Sequence, residues 1–209
     1  MFITKKSIIG IVKLSGIIST ETRLGSRGGL NLNDLSDSLT KAFSFKNIKA
    51  IVLLVNSPGG SPVQSALIAN RVRDLAREKE IPVYCFIEDL AASGGYWLSC
   101  AADKIYAMES SIVGSIGVIT AGFGAVEAIK KIGIERRVYS QGKNKGLLDP
   151  FLPEKKDDVK QILNIQKDLH AQFINWIKKR RGKRLKAEDE ILFNAGIWSG
   201  VKAKELGLI

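Results

Sequence analysis

From the amino terminus onward, the apolar positions fall into short strand-like runs separated by stretches of helical spacing. Residues 8–14 read as a strand. Leu32, Leu35, Leu39 and Phe43 share one face and predict an amphipathic helix over residues 31–43. Residues 50–55 (Ala-Ile-Val-Leu-Leu-Val) are a continuous apolar run between polar and turn residues, which predicts a strand buried on both faces of a parallel sheet. Pro62 opens a helix to about residue 78, with Ala66, Ala69, Val72, Leu75 and Ala76 on its packed side. Residues 83–87 predict another buried strand. Further short strands are expected at 104–107, 116–119 and 136–139, with a helix at 125–132. A long helix is expected from residue 153 to about 179, carrying Val159, Ile162, Leu163, Ile165, Leu169, Phe173 and Ile177, with short helices near 187–193 and 199–206. Strands alternating with helices predict an α/β domain with right-handed crossovers. No repeat or linker divides residues 1–209, so they read as one domain, with a loop at 25–29.

Composition narrows the classes. Of 209 residues, 45% are hydrophobic and 25% charged, enough for a sizeable core and unlike a disordered chain. Cys85 and Cys100 sit in apolar surroundings and read as buried thiols, which excludes a disulfide-built scaffold. One histidine, His170, and the lack of CxxC or HExxH leave no metal-ligand spacing, so no cofactor is expected. No run reaches the roughly 18 apolar residues that span a bilayer, and Lys13 interrupts the only amino-terminal candidate for a secretory signal. The chain therefore reads as soluble, cytoplasmic or peripherally membrane-associated.

The net charge of +11 is concentrated in residues 130–186, where 17 Lys and Arg face 6 Asp and Glu. Its densest run is Lys178-Lys179-Arg180-Arg181-Gly182-Lys183-Arg184. Such a run suits an anionic membrane surface, or a solvated helix end with cations near its C-terminus. No aromatic residues are interleaved for base stacking, so nucleic acid is not expected as a partner.

Candidate chemistry centres on Ser93. It follows Ala91 and Ala92 and precedes Gly94 and Gly95, small residues that let another backbone approach a tight turn opening a helix. A serine hydroxyl is a weak nucleophile at neutral pH and needs a base, and the chain offers one histidine but many lysines. Upstream, Asn56-Ser57-Pro58-Gly59-Gly60 follows a buried strand and precedes a helix. Its glycines can aim backbone N–H groups at an oxyanion, although the turn also reads as a plain strand-to-helix connection. It lacks GxxxxGK[ST] and is no phosphate loop. Gly114-Ser115-Ile116-Gly117-Val118 is glycine-spaced along an extended segment and suits a cleft wall on which a peptide strand pairs.

Together with residues 102–107 (Ala-Asp-Lys-Ile-Tyr-Ala), these elements resemble, in order, the motifs of the S49 serine peptidases, the signal peptide peptidase A and SohB group. Ser140-Gln141-Gly142-Lys143-Asn144-Lys145 is similar to the segment that delivers that family's catalytic lysine, and residues 197–208 resemble its closing motif. The resemblance implies a ClpP/crotonase-like fold of repeated strand–helix units and a Ser-Lys dyad rather than a Ser-His-Asp triad. Ser93 is then the nucleophile and Lys145 the base, with Lys143 as the alternative. Gly94, with Gly59 or Gly60, supplies the oxyanion N–H groups, and Ser115 and Gly117 line the substrate. The implied substrates are hydrophobic or unstructured peptides, such as signal peptides and membrane-protein fragments, handled by a ring-like homo-oligomer. A lysine of ordinary pKa, about 10.4, is protonated at pH 7, and neutralising it takes a shift of about 3 units, or about 4–5 kcal/mol. Burial is the usual source of such a shift, and Leu147, Leu148, Pro150, Phe151 and Leu152 offer apolar cover. A crotonase-fold acyl-CoA enzyme would want glutamates near the glycine turns, where none stand as a pair. A ClpP-type triad would need His170, which falls in the middle of the long helix. A non-cleaving peptide-binding scaffold would not need Ser93 and Lys145 intact.

Overall fold

The computed structural model describes residues 6–20, 29–142 and 144–209, so most of the predicted loop at 25–29, and Lys143, lie outside the described residues. The chain divides into two compact units, Met1–Gly117 with Gln172–Ile209, and Val118–Ala171.

The first unit is built on a sheet. β1 (Ile8–Ser15), β2 (Ile48–Ser57) and β3 (Val83–Ala92) run parallel, with Ile11 opposite Val52 and Val52 opposite Tyr84. β3 serves two neighbours: Tyr84–Ile87 pairs with β4 (Lys104–Ala107) and Leu90–Ala92 with β5 (Ile112–Gly114), both in parallel. β6 (Ile197–Ser199) pairs antiparallel with β5. Asn31 caps α1 (Leu32–Ser44) by accepting the Asp34 N–H at 2.9 Å, and Ser61 caps α2 (Pro62–Lys79), which has proline at its first position. Leu39 and Phe43 of α1 and Ile68, Ala69 and Val72 of α2 share one core with Leu14, Ile51, Leu53, Val55, Val83 and Cys85 of the sheet. Burying each large aliphatic side chain there stabilises the fold by about 1.5–3 kcal/mol. α3 (Gly94–Ser99), α6 (Asp189–Leu192), α7 (Gly200–Glu205) and the last turns of α5 (Lys156–Arg181) complete this unit. The second unit holds α4 (Val126–Lys131), the turns that follow it, and the first part of α5.

Three expectations are corrected. Residues 116–119 form no strand; the strand lies earlier, at β5, because Gly114 (φ 119°) and Ser115 (φ 52°) turn the chain out of the sheet. Residues 136–139 form none either, since these exposed residues, two of them arginines, meet no partner strand among the described residues. β2 is fully buried on one face only. Ile51, Leu53 and Val55 alternate with half-buried Val52 and Leu54, because the helices pack against a single face.

Candidate active site

Ser93 is the single residue between β3 and α3. Its backbone lies at φ 51°, ψ −122°, a conformation that costs a residue with a Cβ about 1–3 kcal/mol. Two hydrogen bonds hold it there: its N–H donates to Gly114 O at 2.8 Å, and its carbonyl accepts the Trp97 N–H at 3.0 Å. The half-buried side chain makes no capping bond to the helix it precedes. The turn thus presents a strained serine whose hydroxyl the following helix does not use.

The turn at residues 57–60 presses directly on this elbow. A Cβ on Gly59 would lie 2.7 Å from Gly94 N and 2.8 Å from Ser93 Cβ; one on Gly94 would lie 2.4 Å from Ser65 Oγ; one on Gly95 would lie 2.4 Å from Ser57 O. Fully buried Ser57 fixes the turn, its Oγ donating to Gly16 O at 2.7 Å and accepting the Gly59 N–H at 3.1 Å. The sequence leaves Gly59 and Gly60 as equal oxyanion candidates. In the structure the Gly59 amide is spent on Ser57, whereas the amides of Gly60 and Gly94 make no hydrogen bond among the described residues. These two amides, one from each glycine turn, are therefore unspent.

The edge expected to receive a substrate strand is already used. β5 has β3 on one side and β6 on the other, and the Ser115 N–H donates to Gly196 O at 2.7 Å. Gly117 N–H turns back to Ser115 O at 3.0 Å, and a Cβ on Gly117 would lie 2.7 Å from Ala195 Cβ. The Ser115 N–H is thus taken within the fold by the chain returning after α6. The nearby hydroxyls of Ser99 and Ser111 are buried and donate to Gly95 O (3.0 Å) and Glu88 O (2.6 Å). Burial pushes the thiols of Cys85 up to about 12 and Cys100 up to about 11, so neither is a nucleophile at neutral pH.

Lys145 belongs to the second unit, where it is exposed in a run of turns and its N–H donates to Gly142 O at 3.1 Å. Farther along, Asp149 accepts the Phe151 N–H and pairs with Arg136, and these two partners hold its carboxyl below the usual range. His170 is half-buried in the part of α5 that belongs to this unit. Among the described residues, no group of His, Cys, Asp and Glu is arranged to hold a metal ion.

The basic run at 178–184 is neither a solvated helix end nor a uniform charged surface. Arg181 is buried and gives both Nε and Nη2 to Gly207 O, at 3.1 and 2.9 Å. Arg180 reaches Cys100 O and Ala102 O, and Arg184 Nη1 donates to Asp103 O at 2.7 Å. Lys178, Lys179 and Lys183 stay exposed, with Lys178 paired to Asp189. The arginines escape sequence reading because their acceptors lie up to 81 residues away.

A family model described as peptidase family S49 matches residues 75–209. The chain is 49% identical over 202 residues to a Brucella melitensis protein named Na(+)/H(+) antiporter NhaA, covering 96% of this chain and 27% of that protein. It is 33% identical over 207 residues to an Enterococcus faecium protein named "Putative signal peptide peptidase SppA", covering 99% of this chain and 58% of that one. It is 31% identical over 205 residues to Protease 4 of Haemophilus influenzae, covering 96% and 32%. The chain thus spans between about a quarter and somewhat over half the length of these relatives. The antiporter name belongs to a protein of which about a quarter matches, and among the described residues no helix is long and apolar enough to cross a membrane.

Proposed function

The chain belongs to peptidase family S49, and from that membership we propose that it is a serine endopeptidase with a Ser-Lys dyad. Its substrates in this reading are hydrophobic or unstructured peptides, such as signal peptides and membrane-protein fragments. The observation that carries the reading is the strained elbow at Ser93, packed against the turn at residues 57–60, with the amides of Gly60 and Gly94 unspent. The motif match at residues 140–145 nominates Lys145 as the base.

Ser93 Oγ attacks the scissile carbonyl carbon as Lys145 Nζ accepts the hydroxyl proton. The carbonyl oxygen becomes an oxyanion received by the two amides, and removing one such donor costs about 2.7–4 kcal/mol in comparable sites. Collapse of the intermediate expels the amine, which takes the proton from the lysine and leaves an acyl ester on Ser93. Water, giving its proton to the same lysine, then releases the carboxylate and restores the serine.

The test is labelling with a fluorophosphonate, together with hydrolysis of an unstructured peptide across a pH series. Ser93→Ala is expected to abolish both, Lys145→Ala to abolish turnover, and His170→Ala to leave turnover and its pH profile unchanged. Loss of activity in His170→Ala with retention in Lys145→Ala would assign the base to the histidine. Unlabelled wild-type protein would favour a non-cleaving peptide binder.

Assembly into a homo-oligomer belongs to the same reading. Its support is the second unit's exposed apolar surface, with Ile119 at 85%, Phe123 at 93% and Tyr139 at 92% exposure. Contact with an anionic membrane, as a further part of it, falls to Lys178, Lys179 and Lys183, since the neighbouring arginines are engaged in the fold.

A further inference from the structure

We propose that Arg180 is a positioning residue for the nucleophile: it anchors the chain just past α3, including the Asp103 carboxylate that binds the start of β3, and so keeps the strained serine at its elbow. The inference rests on the reading of Ser93 as the nucleophile.

α3 is only six residues long. A helix that short has little cooperativity of its own, and its last carbonyls have no partners within it. The N–H groups of Cys100, Ala101 and Ala102 take up those of Tyr96, Leu98 and Ser99, and α5 braces the rest through residues at the i, i+3, i+4, i+7 spacing of one helix face. Phe173 stacks on Trp97 with ring centroids 4.7 Å apart. Trp176 Nε1 donates to Trp97 O at 3.0 Å, and Ile177 is fully buried in the shared core. Arg180, the last of the four, donates from Nε to Cys100 O at 2.9 Å and from Nη2 to Ala102 O at 3.0 Å.

The same Nη2 donates to Asp103 Oδ1 at 3.0 Å. That carboxylate also accepts Arg73 Nη1 at 2.9 Å on Oδ1, and the Val83 N–H at 2.9 Å on Oδ2. Val83 is the first residue of β3, the strand that ends at Ser93. Asp103 itself closes the segment whose apex is the serine, its N–H donating to Val83 O at 2.7 Å, and Arg180, together with Arg73, holds that carboxylate in place. If α3 could tilt, the backbone at Ser93 would relax out of its strained conformation. The planar guanidinium reaches four oxygens at once, those of Cys100, Ala101, Ala102 and the Asp103 carboxylate, which the single ammonium of a lysine cannot do.

The experiment measures the second-order rate of fluorophosphonate labelling at Ser93, kcat and KM for an unstructured peptide, and the unfolding midpoint. It compares wild type, Arg180→Ala, Arg180→Lys and Leu39→Ala, a core variant of α1 that serves as the stability comparator. Both arginine variants are expected to lose about tenfold or more in labelling rate and kcat, with KM changed less than about threefold, because misplacing a reacting group by a fraction of an ångström is costly. Leu39→Ala is expected to lower the midpoint at least as far while labelling at the wild-type rate below it. Millimolar guanidinium is expected to recover labelling in Arg180→Ala and not in Leu39→Ala. Wild-type labelling rates in Arg180→Lys overturn the inference, as do losses that track the midpoint equally in all variants. If Arg180→Ala does not fold, the lysine variant decides. Wild-type protein that is not labelled at Ser93 overturns the nucleophile assignment itself, a different outcome from labelled wild type with unaffected variants.

Discussion

Replacing Gly94 by alanine isolates the packing that sets the elbow. The backbone there is not left-handed, so alanine incurs no strain and should gain about 1 kcal/mol of helix propensity over glycine. The new Cβ, however, would lie 2.4 Å from Ser65 Oγ, where ordinary contact begins at 3.4 Å, so one of the two groups must retreat by about 1 Å. Ser65 is fully buried and its hydroxyl donates to Ser61 O at 2.8 Å, which leaves it little room. Overpacking of this kind costs about 1–3 kcal/mol, leaving a net loss of about 0–2 kcal/mol for Gly94→Ala. Ser65→Ala removes the obstructing oxygen and one hydrogen bond, costing about 1 kcal/mol. The double variant should be no less stable than Ser65→Ala alone, a favourable coupling of about 1–3 kcal/mol. The nearby Ile18 Cδ1, 3.0 Å from the new Cβ, is the end of a flexible side chain and can yield. Stability is read by urea unfolding followed through tryptophan fluorescence, since Trp97, Trp176 and Trp198 all lie in the first unit. Activity is read by fluorophosphonate labelling. A retreat of the Ser93–Gly94 peptide should slow labelling by up to about 100-fold in the single variant, with most of the rate returning in the double. If Gly94→Ala labels at the wild-type rate, or if Ser65→Ala restores nothing, the contact between α2 and the elbow does not set the nucleophile's position.

Three further outcomes follow from the same geometry. Ser93→Gly should abolish hydrolysis yet raise the unfolding free energy by about 1 kcal/mol, because glycine accepts φ 51° without strain; equal or lower stability would mean that the elbow stores none. Cys85 and Cys100 should resist a thiol reagent at pH 8 until the protein unfolds. With pKa values of about 12 and about 11, only roughly one in 10,000 and one in 1,000 of them are thiolate in the folded state. Both folded values lie above the ordinary 9.0, so the unfolded chain loses these protons first and stability falls as pH rises from 9.0 toward about 11; a flat alkaline profile would contradict the burial of both groups. Light scattering across a dilution series should show a multimer, and a fully active monomer would defeat the assembly proposed above.

The sequence carried the motif order, the alternation of strands and helices, and the nomination of Ser93, because each rests on near neighbours. Apolar runs define β1, β2 and β3, caps and a leading proline define α1 and α2, and a serine set among alanines and glycines marks a turn whatever surrounds it. The tertiary structure decided everything that depends on which groups are already spent. Gly59 and Gly60 are indistinguishable in a sequence, and they differ only because Ser57 Oγ captures one amide. Ser115 looks like an open edge until residues 195–199 return to cover it, 80 positions later. Residues 116–119 have strand-like composition but follow two left-handed residues that take them out of the sheet. The basic run at 178–184 has the charge of a surface, while three of its arginines reach carbonyls that no local pattern could pair with them. The physical reason is common to the glycine pair, Ser115 and the arginines. Hydrophobic periodicity reports the average side on which a segment is buried, whereas hydrogen-bond donors and acceptors are satisfied one by one, by whatever the fold brings within about 3 Å.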